Sequence, residues 1–324
     1  MLTLRETIRD ITDQHLDKGY MVAGQCLTAV GWVGGTLPER HDMTELPTAD
    51  VAGAGFVVGM ALAGKRPIYV IRYQGFTHYN GPMIVNYAAK SKDMWGRPCP
   101  ILVRSIAMEG GIGPVAGSSH HSLFTRMPGV KVFAPMTPRE WRDAYQEFMS
   151  GDDVVYLSEH RGAYDTRNEF LAFLGQEEPE LLRRRSGTNR PPDIVLIPIS
   201  ITRTAAINAA QEMMVQNIAV AVHPAWCLKP LQLTSRAFDD LERACYGGIV
   251  IDDDYEGGVA SDIAIKLHAK TGATMRVLGL KDRTAGFSLW NDNLPPNKET
   301  IKEFILDDIT AKSSARPLTG VMRS

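Results

Sequence analysis

Asp50-Val-Ala-Gly-Ala-Gly-Phe-Val-Val-Gly-Met-Ala-Leu-Ala-Gly64, followed directly by Lys65-Arg66-Pro67, is the stretch on which the fold turns. A helix formed from it is apolar on every side, so other structure must cover it. Ala52, Gly55, Gly59 and Ala63 fall on one nearly smooth face. Such a face lets another backbone approach closely, although each interior glycine costs up to about 1 kcal/mol relative to alanine. The helix therefore belongs at an interface or in a domain centre. It is too short and too rich in glycine to span a bilayer. Asp50 stands where it begins, and the local pattern reads as an N-cap, with the carboxylate accepting a backbone N–H at the positive end of the helix dipole.

Outward from this helix the chain alternates strands and helices. Residues 5–17 read as an amphipathic helix rather than a signal peptide, and 67–72 as a strand ending near Tyr73. A helix is expected from Pro82 to Asp93, buried strands at 100–104, 130–134 and 153–158, and a helix at 138–149. Thr137 with Pro138 and Glu140 makes a strong helix start. The polar run 176–192 ends in Pro-Pro and reads as a linker. Beyond it come strand 193–198, helix 203–216, strand 218–222, helix 235–244, strand 248–252 and helix 257–270. The last dozen residues have no apolar pattern and read as a loose tail. The expectation is an α/β protein of two domains, residues 1–178 and 193–324 joined by a linker at 179–192, each a mostly parallel sheet flanked by helices.

Composition narrows the function. The 324 residues are 44% hydrophobic and 22% charged with a formal net charge of -2, the mix of a soluble globular protein with no broad attraction to nucleic acid or membrane. Cys26, Cys99, Cys227 and Cys245 are scattered without a CxxC pair, against a zinc knuckle or disulfide framework and in keeping with a cytoplasmic protein. No strand is followed by GxGxxG, which disfavours a Rossmann nucleotide site.

Several motifs in order carry a resemblance. Asp50 precedes the Gly/Ala-rich helix, which ends in Gly64-Lys65-Arg66-Pro67; a strand and Phe76 follow, then Asn86-Tyr87-Ala88-Ala89-Lys90. Further on stand His121-Ser122, Pro128-Gly129-Val130-Lys131-Val132, and Asp252-Asp253-Asp254-Tyr255-Glu256-Gly257-Gly258. Over nearly its whole length the chain resembles the beta subunit of thiamine diphosphate-dependent 2-oxo acid dehydrogenases (the decarboxylase component), within the transketolase-like superfamily. The resemblance implies a pyrimidine-binding domain followed by a transketolase C-terminal-like domain.

It also implies a chemistry. Thiamine diphosphate works through a carbanion at its thiazolium carbon and serves as an electron sink. In the family a carboxylate on the aminopyrimidine ring nitrogen promotes loss of the thiazolium proton, which needs a carboxyl that keeps or shares a proton in a dry pocket. That role maps to Asp50, where the family has glutamate, so the contact is one methylene shorter; Glu45 could substitute only in a rearranged loop. Phe76 maps to the residue stacked on the pyrimidine, or else packs in the core. Tyr73 and Arg72 lie near the same edge. His121 maps to the family's active-site histidine, and His120 stands beside it; either could bind a substrate carboxylate or move protons. The segment from His121 to Pro128 is shorter than the family's, which reshapes the substrate pocket.

The family's diphosphate and magnesium motif, Gly-Asp-Gly with a later Asn pair, has no match; Gly151-Asp152-Asp153 lacks the second glycine. Asp252-Asp253-Asp254 reads as an acidic turn after a strand rather than a metal site. The resemblance thus implies that an alpha-type subunit holds the diphosphate and Mg²⁺ in an α2β2 heterotetramer, with the site between subunits. The expected reaction is decarboxylation of a 2-oxo acid, with the acyl unit passed to a lipoyl-bearing acyltransferase or another acceptor. Two other readings stay open: half of a split transketolase or carboligase, for which Arg104, Arg126, His120 and His121 could serve sugar phosphates, and a non-catalytic paralogue subunit.

Overall fold

Thr3 and Glu6 close a reciprocal capping box, and this starts α1 (Leu4–Asp17), whose Leu4, Ile8 and Leu16 are buried. The computed structural model describes residues 2–108, 118–167, 190–284 and 293–314. Short runs of β-branched and aliphatic residues form the strands that α1 and the other helices cover. The first sheet has eight strands in the order β10-β9-β5-β6-β4-β3-β1-β2. They are β1 (Val22–Gly24), β2 (Thr44–Glu45), β3 (Ile68–Ile71), β4 (Leu102–Ala107), β5 (Val130–Phe133), β6 (Val154–His160), β9 (Cys227–Lys229) and β10 (Leu231–Gln232). The pairings from β5 across to β2 are parallel, whereas β9 runs antiparallel to both β5 and β10. The second sheet, β12-β11-β7-β8, is parallel throughout. It comprises β7 (Ile194–Pro198), β8 (Val220–Val222), β11 (Gly248–Tyr255) and β12 (Met275–Leu280).

Between the strands of the first sheet lie α2 (Gly31–Gly35), α3 (Asp50–Leu62), α4 (Thr77–Met83), α5 (Ala89–Trp95), α6 (Ser122–Thr125) and α7 (Pro138–Ser150). The second sheet carries α8 (Thr202–Val215), α9 (Ser235–Arg243), α10 (Val259–Thr271) and α11 (Lys298–Ser314). One buried apolar cluster joins the two sheets, with Val103, Val132 and Tyr156 from the first and Val195, Ile197 and Val250 from the second. Gly129 makes a close crossing possible: its φ is +72°, and a Cβ there would lie 1.9 Å from the Ala89 carbonyl oxygen.

Several expectations need correction. Asp50 is not the N-cap of α3; Ala49 holds that place, and Asp50 is the first helical residue. The helix expected from Pro82 starts at Thr77, with Pro82 inside it and a π-helical turn at Ile84–Ala88 leading into α5. Asp252, Asp253 and Asp254 are not a turn after the strand: they lie within β11, all buried. Residues 227–232, to which the sequence reading assigns no element, form β9 and β10 and extend the first sheet. The smooth stripe of α3 faces away from the chain's own core. Its buried side is Gly53, Ala54, Val57, Val58 and Ala61, while Val51, Phe56 and Leu62 are exposed. The expected linker at 179–192, except for 190–192, and the tail beyond Ser314 lie outside the described residues. No helix among the described residues is long and apolar enough to cross a membrane.

Candidate active site

Gly24 ends β1 against β3: a Cβ on it would sit 2.7 Å from the Val70 carbonyl oxygen. That close approach brings Gln25 over the C-terminal end of β3, beside the first turn of α3. Gln25, Asp50, Tyr69, Val70, Ile71, Arg72, Phe76 and Asn80 line a cleft there with about 270 Å³ of free space.

The carboxylate in this cleft is held by a relay. The Tyr69 hydroxyl donates to Asn80 Oδ1, and Asn80 Nδ2 donates to Asp50 Oδ1 at 2.8 Å and to the Phe76 carbonyl at 2.9 Å. Tyr69 and Asn80 are each 1% exposed, which makes the relay rigid. Burial first, and the nearby Asp50 second, push the Tyr69 phenol well above its ordinary pKa, so it remains a donor. The Asp50 carboxylate itself is half-buried. The Gln25 amide nitrogen is buried with no hydrogen-bond partner. A buried donor left in this state costs roughly 1–3 kcal/mol, so a ligand acceptor at this point would be strongly favoured. Glu45 is engaged elsewhere, since both its carboxylate oxygens accept the Leu27 N–H, at 3.2 and 3.0 Å, and it does not line the cleft.

Phe76 ends the 3-10 turn Gln74–Phe76, and its ring is 5.9 Å from that of Tyr73. Arg72 lies over the Tyr73 ring at 4.9 Å. Arg72 and Tyr73 also line a second cleft of about 380 Å³ with Val30, Val33, Ile106 and Arg161. Arg72 is common to both clefts, which therefore adjoin.

Gln74 links this turn to the histidines. Its Oε1 accepts the His120 N–H at 2.7 Å, and its Nε2 donates to Ser158 Oγ at 2.8 Å. The His120 ring stands 4.9 Å from the ring of His78 and within 3.1 Å of Ser118 Oγ. Burial lowers the His120 pKa to about 4 against an upward pull from Asp254, so the ring is neutral at physiological pH. His121 is fully buried: Nδ1 is 3.0 Å from Ser158 Oγ and Nε2 is 3.1 Å from Asp252 Oδ1. Burial alone would lower its pKa, but Asp252, with Asp254 and Asp253 behind it, overrides this and raises it to about 10. Asp253 is shifted upward by burial and by Asp252. His121 thus binds β11 to the first sheet and lines neither cleft. Arg104 is also absent from both: it is fully buried and paired with Glu159.

Of the six residues singled out from sequence, the structure gathers Asp50, Phe76 and Arg72 at one cleft, keeps Tyr73 beside them, and ties His120 to the same turn through Gln74. Sequence reasoning missed Gln25, Tyr69, Asn80 and His78. Asn80 alone left a local signal, a polar residue one helical turn beyond Phe76.

Comparison with known proteins gives this geometry a lineage. Residues 37–166 match the family model described as the transketolase pyrimidine-binding domain. Subunit beta of 2-oxoisovalerate dehydrogenase from Bacillus subtilis is 27% identical over 238 residues, covering 68% of this chain and 67% of that one. The beta subunit of the pyruvate dehydrogenase E1 component from Rickettsia felis is 25% identical over 281 residues, 81% of this chain and 83% of that one. In fold, the chain superimposes on a split-gene transketolase, solved as an inactive beta4 tetramer, with a TM-score of 0.70 at 14% identity, over 95% of this chain and 98% of that one. Residues 37–166 are therefore a transketolase-type pyrimidine-binding domain, and the chain as a whole is a distant relative of the 2-oxo acid dehydrogenase beta subunits.

Proposed function

We propose that this chain is the beta-type subunit of a thiamine diphosphate enzyme that decarboxylates a 2-oxo acid and passes the acyl unit to a lipoyl group or a similar acceptor. The observation that carries this is the first cleft, where one relay-held carboxylate, one unpartnered amide and one aromatic ring meet. That set fits an aminopyrimidine. Asp50 would meet a ring nitrogen, the Gln25 amide a polar edge, and Phe76 a flat face. When bound, the cofactor supplies a carbanion for attack on a carbonyl and an electron sink for the carbon dioxide-releasing step. This chain's contribution is to set the Asp50 carboxylate against the pyrimidine edge, to fix that carboxylate through Asn80, and to exclude water from the pyrimidine side. His120, neutral and tied to the Phe76 turn, is the residue placed to exchange a proton with substrate.

The reading includes an alpha-type partner that supplies the diphosphate and Mg²⁺ contacts, in an α2β2 assembly. Val51, Phe56 and Leu62 on the outer face of α3 are 53, 44 and 46% exposed, an apolar surface that a second chain would cover. The two dehydrogenase relatives are both beta subunits, and the split-gene transketolase beta chain forms an inactive tetramer.

Calorimetry of thiamine diphosphate with Mg²⁺ tests the reading, on this chain alone and after co-expression with an alpha-type subunit. Binding only in the complex is expected, followed by turnover of a branched or short 2-oxo acid with an artificial electron acceptor. In that complex Asp50→Asn should lower turnover by about 10²–10⁴-fold. Absence of binding in both preparations, unchanged by Asp50→Glu, would sink the proposal in favour of a non-catalytic subunit. Aldehyde acceptors outperforming every lipoyl acceptor would move it to a transketolase-type carboligation.

A further inference from the structure

We infer that His121, Asp252 and Asp253 form a binding site for a divalent cation of the manganese or zinc kind, at the seam between the two sheets. One ligand atom from each of the three lies within 4.8 Å of the others, and all three residues are buried. The charge is unbalanced. Asp252, Asp253 and Asp254 are 0, 1 and 3% exposed and face a single imidazole. Carboxylates buried in this way need a cation, protons or a full set of hydrogen bonds.

The hydrogen bonds show which oxygens are satisfied. Asp254 is used on both sides: Oδ2 accepts the Ser122 N–H at 3.0 Å and Oδ1 the Tyr255 N–H at 2.7 Å. Asp253 Oδ2 accepts from the Ser119 and Ser200 hydroxyls at 2.6 and 3.0 Å. Asp253 Oδ1 is buried and has no partner. Among the described residues it is the one carboxylate oxygen of the cluster for which the protein provides no hydrogen bond, on a side chain whose cluster mates are His121 and Asp252.

The surroundings resemble the outer shell of a metal site. A ligating histidine usually donates its other ring N–H to a nearby acceptor, and ligating carboxylates are themselves hydrogen-bonded. Ser158 Oγ stands 3.0 Å from His121 Nδ1 and would accept that proton, leaving Nε2 free to ligate. One imidazole nitrogen with two carboxylates suits Mn²⁺ or Zn²⁺ better than the all-oxygen sets preferred by Ca²⁺ and Mg²⁺. A bound ion would bridge the segment leading into α6 and strand β11, so it would fasten the first sheet to the second.

The test needs neither cofactor nor partner subunit, so its result is independent of the function proposed above. The full chain, freed of metal with a chelator, is titrated with MnCl₂ and separately with ZnCl₂ by calorimetry, and its thermal midpoint is followed. One site per chain is expected, with a rise in midpoint that grows with ion concentration. Asp253→Asn and Asp252→Asn should each weaken binding at least tenfold, whereas Asp50→Asn should leave it unchanged. Circular dichroism of each variant checks that it is folded. A folded wild-type chain that binds neither ion, or binding that both aspartate variants preserve, overturns the inference and leaves protons as the neutralising species.

Discussion

Asn80 is the side chain on which the candidate cleft depends, because its amide is committed at both ends. Its oxygen accepts from the buried Tyr69 hydroxyl and its nitrogen donates to Asp50 and to the Phe76 carbonyl. Asn80→Ala would leave the Tyr69 hydroxyl unpaired in the interior and free Asp50 to rotate. Urea unfolding should show a loss of about 1–3 kcal/mol, and Tyr69→Phe, which leaves the buried Asn80 Oδ1 without its donor, should show a loss in the same range. Equal midpoints for wild type and Asn80→Ala would mean that the relay does not hold the site. At this scale the sequence is legible only in part. Asp50 and Phe76 stood out because each lies at the end of an element and within a recognisable run. Gln25, Tyr69 and Asn80 did not, since they come from the end of β1, the middle of β3 and the second turn of α4, and their chemistry exists only after these are packed together. His121 shows the opposite failure. The sequence places it as a histidine able to meet substrate, yet it is buried against acidic residues more than a hundred positions later.

Elements were read most easily where a continuous apolar run crosses the interior, as in β3 and β7. They were obscure where burial relies on pairing rather than on hydrophobicity. β11 continues through Asp252, Asp253 and Asp254, a run that no alternation rule would assign to a buried strand. β9 and β10 are too short to show a period, and they belong to the first sheet only because β5 offers them an edge. Strands β4 and β6 carry the clearest stability consequence of such pairing. Arg104 donates from Nε and Nη2 to the two oxygens of Glu159, at 2.7 and 2.9 Å, and both are fully buried. Trp141 and Tyr164 donate to the same carboxylate. Glu159→Gln would strand a guanidinium in the core and should cost about 3–5 kcal/mol in a denaturant titration. The double variant Arg104→Met/Glu159→Leu should recover much of that loss, because it removes the buried charges together. A double variant no more stable than Glu159→Gln would show that the pair contributes net stability here.

The whole molecule's response to acid has contributions from His120 and from two histidines buried at separate places in the first sheet's shell, with Asp253, shifted upward, opposing them. His15, on α1, is fully buried between the Arg66 carbonyl at 3.0 Å and the Tyr145 hydroxyl at 2.9 Å. A carbonyl can only accept, so Nε2 carries the proton and Nδ1 accepts from Tyr145; the ring is satisfied as the neutral form. His160, at the end of β6, accepts the Gly162 N–H on Nδ1 at 3.1 Å. Burial lowers both to about 4, from an ordinary value of 6.5. At these two sites the folded chain therefore binds fewer protons than the unfolded chain between these values, so their contribution to stability rises with pH across that window. Their contribution is fully present above about pH 6.5 and is lost as pH falls towards 4, with each histidine adding up to about 1.4 kcal/mol per pH unit to the slope. His160→Asn separates the two, since its side-chain oxygen can still accept the Gly162 N–H but does not titrate. Unfolding free energies measured from pH 7 to pH 4.5 should fall less steeply for this variant, by about one bound proton. An unchanged slope would show that His160 is already protonated in the folded chain, and that its burial does not keep it neutral.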